Sequence, residues 1–329
     1  MTILKRACLI LLPAVAAALI AFPAPAAEPP DSLPDPEGKP ADLSRPVKVF
    51  ILLGQSNMLG FGRIDPGDQQ GTLSYLVRKE GKYSHLVDDS GHWTERKDVR
   101  NVHVMDKRGA GLTDFRTFQD VKNEWLTVKK GHMGPELQFG HIMGHIHDEP
   151  VLILKACIGN RSLGWDLLPP GSERFEGEVP DKKTGETKTY VYAGYKDSPD
   201  KWEKGTEPEP IGWYAGMQYD GDVANAKTVL AELDKHYPGA KGYEVAGFFF
   251  WQGDKDRYNA AHANRYEKNL VHFIKQLRKD FNAPKAKFVV ATLGQTKKGA
   301  TGNEGKILEA QLAVDGKSGK YPEFKGNVA

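Results

Sequence analysis

The sequence predicts an α/β protein, a doubly wound parallel sheet flanked by helices. Apolar runs of strand length recur along the chain, helical patterns lie between them, and several runs stop abruptly at glycine and small polar residues. Runs without polar alternation imply strands covered on both faces. In such sheets a functional site forms beyond the carboxyl ends of the strands.

The first predicted strand, Val-Lys-Val-Phe-Ile-Leu-Leu at 47–53, ends at Gly54-Gln55-Ser56-Asn57. That pattern delivers Ser56 to the first turn of a helix, where free backbone N–H groups and the positive end of the dipole stabilise an oxyanion. Ser56 is therefore a candidate nucleophile, although strand-Gly-x-Ser is also ordinary helix capping. Met58 in the fifth position excludes the Gly-x-Ser-x-Gly elbow. A helix is predicted over 135–147, opening with Pro135 after Gly134. A second strand over 150–156 ends at Cys157-Ile158-Gly159-Asn160. A helix over 222–236 carries Val223, Ala226, Leu230 and Leu233 at helical spacing and stops at Pro238-Gly239. A strand over 245–251 ends at Gln252-Gly253-Asp254, and a helix over 262–280 aligns Tyr266, Leu270, Phe273 and Leu277 on one face. A strand over 287–293 ends at Gly294-Gln295, and 325–329 reads as the start of another. Residues 60–130 and 165–215 read as long irregular stretches; Trp165, Trp202 and Trp213 in the latter suit sugar stacking or the packing of the loops themselves.

Lys5 and Arg6, the apolar stretch from Ala7 to Phe22, and Ala24-Pro25-Ala26 form the pattern of a signal peptide over 1–26. Pro13 interrupts the apolar stretch, and Cys8 precedes it, the wrong place for lipid attachment. The expectation is a secreted or periplasmic protein with no membrane association after cleavage, a flexible Pro- and Asp-rich leader over 27–46, and one domain over 47–329. The formal charge of +2 falls to about zero without Lys5 and Arg6, which argues against a nucleic-acid or polyanion binder. Cys157 then stands alone, so no intramolecular disulfide forms and the thiol is expected to pack as a small hydrophobe. There is no cysteine-based zinc motif.

His132, His141, His145 and His147, followed by Asp148 and Glu149, form a cluster in which His141 and His145 share a helix face. Without a His-Glu-x-x-His pattern, and on a helix expected to run away from the strand ends, they read as solvated residues. Gly60-Phe61-Gly62 lacks the third glycine of a dinucleotide fingerprint, and Asp65 follows too soon for a ribose contact. Asn160-Arg161-Ser162 matches a glycosylation acceptor. Arg63 and Arg161 follow two site loops and suit either an acidic sugar or plain solvation. No feature calls for a metal or organic cofactor, and none speaks to oligomeric state.

Four blocks together resemble the sialate O-acetylesterase / carbohydrate esterase family 6 group of the SGNH-hydrolase superfamily. They are Gly54-Gln55-Ser56-Asn57, Gly134-Pro135-Glu136-Leu137, Lys155-Ala156 with Gly159-Asn160-Arg161-Ser162-Leu163, and Trp251-Gln252-Gly253-Asp254. Asn160 stands where Gly is more usual, and Asp254 where the family has Glu. The resemblance implies a flavodoxin-like three-layer sandwich and serine ester hydrolysis, usually deacetylation of a carbohydrate. It implies Ser56 as nucleophile and Asp254 as the acid. The backbone N–H groups of Ser56 and Gly159, with the side-chain amide of Gln252 or Asn160, would form the oxyanion hole. Gln55, Asn57, Arg161 and Trp251 would contact an acetylated carbohydrate substrate.

The mechanism also needs a base to take the serine proton. The family supplies a histidine after the last strand, whereas no histidine follows His272 here. The expectation is a C-terminally truncated domain whose base lies beyond Ala329. Loss of a triad base costs roughly six orders of magnitude in turnover. His262, near Asp254 and Asp256, reads either as a displaced base or as an exposed residue of a helix's first turn. The second function class that survives is a non-catalytic glycan-binding relative of the same fold.

Overall fold

Every residue of Val47–Gly54 except Lys48 is buried, and this strand (β1) runs through the middle of a six-stranded sheet. The computed structural model describes residues 33, 40–104, 122–129, 131–180 and 184–329. The expected signal peptide and most of the leader lie outside the described residues. The described end of the leader is tied down: Asp42 donates its backbone N–H to the Asp148 carbonyl, and Arg45 pairs with Glu149 at 2.7 Å.

After β1 come α1 (Ser56–Leu59), the two-residue strand β2 (Gly62–Arg63), α2 (Leu73–Arg78), β3 (Glu95–Val104), β4 (Lys122–Thr127) and the two-residue strand β5 (His132–Met133). Then follow α3 (Glu136–Ile146), β6 (Val151–Cys157), β7 (Phe175–Pro180), β8 (Thr187–Tyr192) and β9 (Lys201–Glu203). The remainder comprises α4 (Met217–Ala231), α5 (Leu233–His236), β10 (Tyr243–Trp251), α6 (Ala260–Asp280), β11 (Lys287–Ala291) and α7 (Gly302–Ala313). The main sheet has the order β11-β10-β1-β6-β3-β4. All neighbours pair parallel except β4, which runs antiparallel to β3 at the edge.

The alternation along β1 explains its unbroken apolar sequence. Val49, Ile51 and Leu53 join one core, with α4, α6 and α7; Phe50 and Leu52 join a second, with Met58, Leu73 and Leu137 on α1, α2 and α3. Both faces are thus dry, the condition under which a parallel strand needs no polar side chain. In α6 the predicted stripe Tyr266, Leu270, Phe273 and Leu277 is entirely buried. Asn259 caps that helix, its side chain accepting from the N–H groups of Ala261 and His262.

Two expectations change. The stretch 60–130 contributes two strands to the main sheet. Its long strand β3 reads Glu-Arg-Lys-Asp-Val-Arg-Asn-Val-His-Val, too polar for a buried strand by pattern alone. Arg96 and Asp98 make this possible by forming a buried two-point ion pair at 2.8 and 2.6 Å. Gly144 of α3 makes the room, since a Cβ there would lie 2.4 Å from Arg96 Nε. The stretch 165–215 holds a separate antiparallel sheet, β7-β8-β9. The segment 325–329, read as the start of a strand, makes a parallel bridge, Val328 to Phe288, beside β11.

One histidine of α3, His141, departs from its solvated reading, whereas His132 is exposed and His145 and His147 are partly exposed. His141 is fully buried against His85, ring centroids 5.1 Å apart, and burial pushes its pKa down to about 3. Among the described residues no group of three or more His, Cys, Asp or Glu is arranged to hold a metal ion. Cys157 is buried and free, and burial pushes its thiol pKa up. No helix among the described residues is long and apolar enough to cross a membrane.

Candidate active site

Gly54 ends β1 with φ +146°, and a Cβ there would stand 2.2 Å from the Trp251 carbonyl oxygen of β10. Only glycine permits that approach, which brings the ends of β1 and β10 together. The chain then turns at Gln55, whose N–H donates to the Trp251 carbonyl at 3.1 Å, and Ser56 opens α1. Ser56 is half-buried, and a Cβ on Gly159 would lie 3.7 Å from its hydroxyl oxygen, so the loop after β6 borders the nucleophile directly. A small cavity of about 50 Å³ is lined by Gln55, Ser56, Asn57, Trp251, Gln252 and Asp254, together with Leu293 and Gln295.

The short helix α1 is held from beneath. Lys155, fully buried on β6, donates from Nζ to the Leu59 carbonyl at 2.9 Å and pairs with Glu136 at 2.8 Å. Glu136 in turn accepts the Gly134 N–H. A Cβ on Gly134 would collide with Glu136 and crowd the Met58 carbonyl and Lys155. Thus the Gly134-Pro135-Glu136-Leu137 block and Lys155 position the helix that carries Ser56. Sequence reading used them as a helix start and as blocks of the resemblance, without foreseeing this bracing. The available signal was a lone lysine inside a strand buried on both faces, which requires a partner.

The loop after β6 is held by a carboxylate that the sequence did not single out for this task. Asp256, fully buried, accepts the N–H groups of Leu163 and Gly164 at 2.8 and 2.7 Å and the Gln252 amide at 2.5 Å. Burial pushes its pKa above the ordinary carboxylate range against the pull of these bonds. Asn160, at the exposed tip, sits in the left-handed region at φ +60°. Arg161 stacks 4.2 Å above Trp213 and lies 3.4 Å from Asp166.

Gln252 and Gln55 differ from expectation. The two N–H hydrogens of Gln252 face three acceptors: Asp256, the Arg161 carbonyl at 2.9 Å and the Gln55 side-chain oxygen at 3.1 Å. Tyr266 donates to its carbonyl oxygen at 2.9 Å. Its amide is committed to bracing the floor, not aimed at an oxyanion. Gln55, 4% exposed, accepts from Gln252 and from the Lys255 N–H, and belongs to the same brace. Asn57 is exposed and Trp251 half-buried beside Ser56. Asp254 faces the same cavity as Ser56 and accepts from Arg257 Nε at 2.7 Å and from Gln295 at 3.3 Å.

His262 is neither exposed nor in the Ser56 cavity. It is 5% exposed, its Nε2 lies 3.1 Å from Asp200, and it lines a separate, larger cavity together with Asn160 and Tyr258. Burial pulls its pKa down, but Asp200, Asp256 and Asp166 outweigh that and hold it above the ordinary imidazole value. Among the described residues no histidine lines the Ser56 cavity.

Comparison with known proteins gives a partial family match. No curated protein sequence matches the chain. Among solved structures, a protein of Arabidopsis thaliana is similar with 15% identity and a TM-score of 0.45, over 87% of this chain and 84% of that one. A carbohydrate acetylesterase of Xanthomonas citri is similar with 12% identity and a TM-score of 0.46, over 80% of this chain and 46% of that one. NanS is similar with 12% identity and a TM-score of 0.43, over 85% of this chain and 76% of that one. Residues 196–321, which carry Trp251-Gln252-Gly253-Asp254, match the family model of carbohydrate esterases described as sialic acid-specific acetylesterase.

Proposed function

We propose that this chain is an exported serine esterase that removes O-acetyl groups from carbohydrate. The observation that carries the reading is the shared cavity of Ser56 and Asp254, with Gly159 bordering the hydroxyl. Ser56 attacks the acyl carbonyl, the alkoxide leaves on the sugar, and water releases acetate from the acyl-serine. In this reading the backbone N–H groups of Ser56 and Gly159 hold the developing oxyanion, and the exposed Asn160 amide takes the side-chain role that the commitment of Gln252 leaves open. Asp254, in the same cavity, is the acid of this reading; the base that takes the Ser56 proton and returns it to the sugar alkoxide is not among the described residues lining the cavity. The small volume of the cavity supports a short acyl group, and the family match supports carbohydrate as the alcohol. The basic, apolar and small-residue order of the first 26 residues supports export.

A second reading is a glycan-binding relative without turnover. It is favoured by one observation, that no described histidine lines the Ser56 cavity. Acetate release from acetylated xylan and from O-acetylated sialic acid decides between them. The esterase reading expects release by the wild type and its loss in Ser56→Ala. Release that persists in Ser56→Ala contradicts the serine mechanism, and no release with retained glycan affinity supports the second reading.

A further inference from the structure

Strands β3 and β4 line a cavity of about 330 Å³ that shares no lining residue with the Ser56 cavity. Leu59 and Gly60, at the opposite end of α1 from Ser56, form one wall, and Ile64, Leu126, Met133 and Leu137 add apolar surface. Asn101 and His103 lie two residues apart on β3 and so share one face of the sheet. On β4, Glu124 stands opposite Asn101, and Lys122 opposite His103. Asn101 is 6% exposed, and neither its Oδ1 nor His103 Nε2 has a hydrogen-bond partner. Glu136 Oε1 lies 3.9 Å from His103 Nε2, beyond hydrogen-bond reach. Buried polar groups are ordinarily partnered, so an open amide and an open imidazole lining one cavity point to a polar ligand group.

The charged side chains lining the cavity give the sign of that group. They are Lys122, Glu124, Lys129 and Glu136, and His132 at the rim adds no negative charge. Glu124 pairs with Lys129 at 3.1 Å, and Glu136 with the fully buried Lys155 at 2.8 Å. Both carboxylates are thus matched, and Lys122 is the surplus, with no acid partner among the described residues. A cationic ligand meets this excess of positive charge, and a neutral one leaves Lys122 unmatched. A carboxylate takes the Lys122 ammonium, the His103 N–H and the N–H2 of Asn101, which a turn of the amide presents. We propose that this cavity binds a small monocarboxylate with an apolar body, its carboxylate at Asn101, His103 and Lys122 and its body against Leu59, Leu126 and Met133. A polyhydroxylated acid fits poorly, because its hydroxyls would face apolar walls. The site stands whether or not Ser56 turns over a substrate.

The test is a titration of the full chain followed by NMR of its Leu and Met methyl groups, which needs no turnover. Benzoate and hexanoate are the probes, with benzyl alcohol, benzylamine and N-acetylneuraminic acid alongside. The proposal expects benzoate or hexanoate to bind, shifting the methyls of Leu126 and Met133 and sparing those of Leu293 in the Ser56 cavity. It expects the other three compounds to bind about tenfold or more weakly at those methyls. Lys122→Met is expected to weaken carboxylate binding about tenfold or more, as is Asn101→Leu, and Lys122→Arg to retain it within a few-fold. Because Lys122 is exposed, its replacement leaves the core intact and the comparison valid even if Asn101→Leu unfolds. No binding of either carboxylate, binding that ignores Lys122→Met, equal binding of benzylamine or N-acetylneuraminic acid, or shifts confined to Leu293 overturns the site.

Discussion

Lys155 and Glu136 form a buried ion pair, 2.8 Å apart, directly beneath the helix that presents Ser56. The same ammonium binds the Leu59 carbonyl, at the end of that helix, so three separated stretches of sequence meet at one charge. Removing one partner leaves the other charged and unpaired in a dry interior.

Lys155→Met is accordingly expected to destabilise the protein by roughly 3–5 kcal/mol, the usual cost of orphaning one member of a buried pair. Adding Glu136→Leu to the same chain is expected to recover most of that loss. Urea unfolding of the single and double variants checks this. Equal stabilities for the two variants would place the cost elsewhere than in the orphaned carboxylate.

Asp256 governs the loop that borders the nucleophile. Its replacement by Ala leaves the buried N–H groups of Leu163 and Gly164 without their acceptor, at roughly 1–3 kcal/mol each. The expected result is faster amide hydrogen exchange at Leu163 and Gly164 with little change in the centre of β1. Unchanged exchange at those two amides would show that other contacts hold the loop.

His141 gives a pH-dependent signature. Its folded pKa of about 3 lies below the ordinary value of 6.5, so between these values the unfolded chain binds more protons than the native one. Stability contributed by the neutral, buried ring is full above the unfolded pKa and declines as pH falls toward 3. Relative to His141→Gln, the wild type is expected to lose about 1.4 kcal/mol per pH unit through this window. NMR titration gives the same answer directly: the His141 ring signals are expected to stay in the neutral position down to pH 4. A midpoint near 6.5 would contradict its burial.

These residues also mark what sequence can convey. The strands β1, β6, β10 and β11 are legible because burial on both faces demands unbroken apolar runs. The stripe on α6 is legible because one buried face imposes a helical period. Strand β3 is not, because its buried polar residues are paid for by Arg96–Asp98, a partnership visible only in three dimensions. At the site, Ser56 and Asp254 share a cavity, as their places at the ends of two strands suggest, whereas Gln252 turns inward. An amide beside a nucleophile reads as a donor to substrate until its competing acceptors, here Asp256 and the Arg161 carbonyl, are located. His262 misleads for the same reason, since Asp200 lies 62 residues away in sequence.

The most direct test of Ser56 as an activated nucleophile is covalent capture. The full chain is treated with a fluorophosphonate, digested, and its peptides are mapped by mass spectrometry. The account predicts a single phosphonylated site at Ser56, with labelling abolished by Ser56→Ala and slowed by excess acetylated glycan. An unlabelled Ser56 under conditions that label a known serine esterase, or a label on another residue, contradicts it.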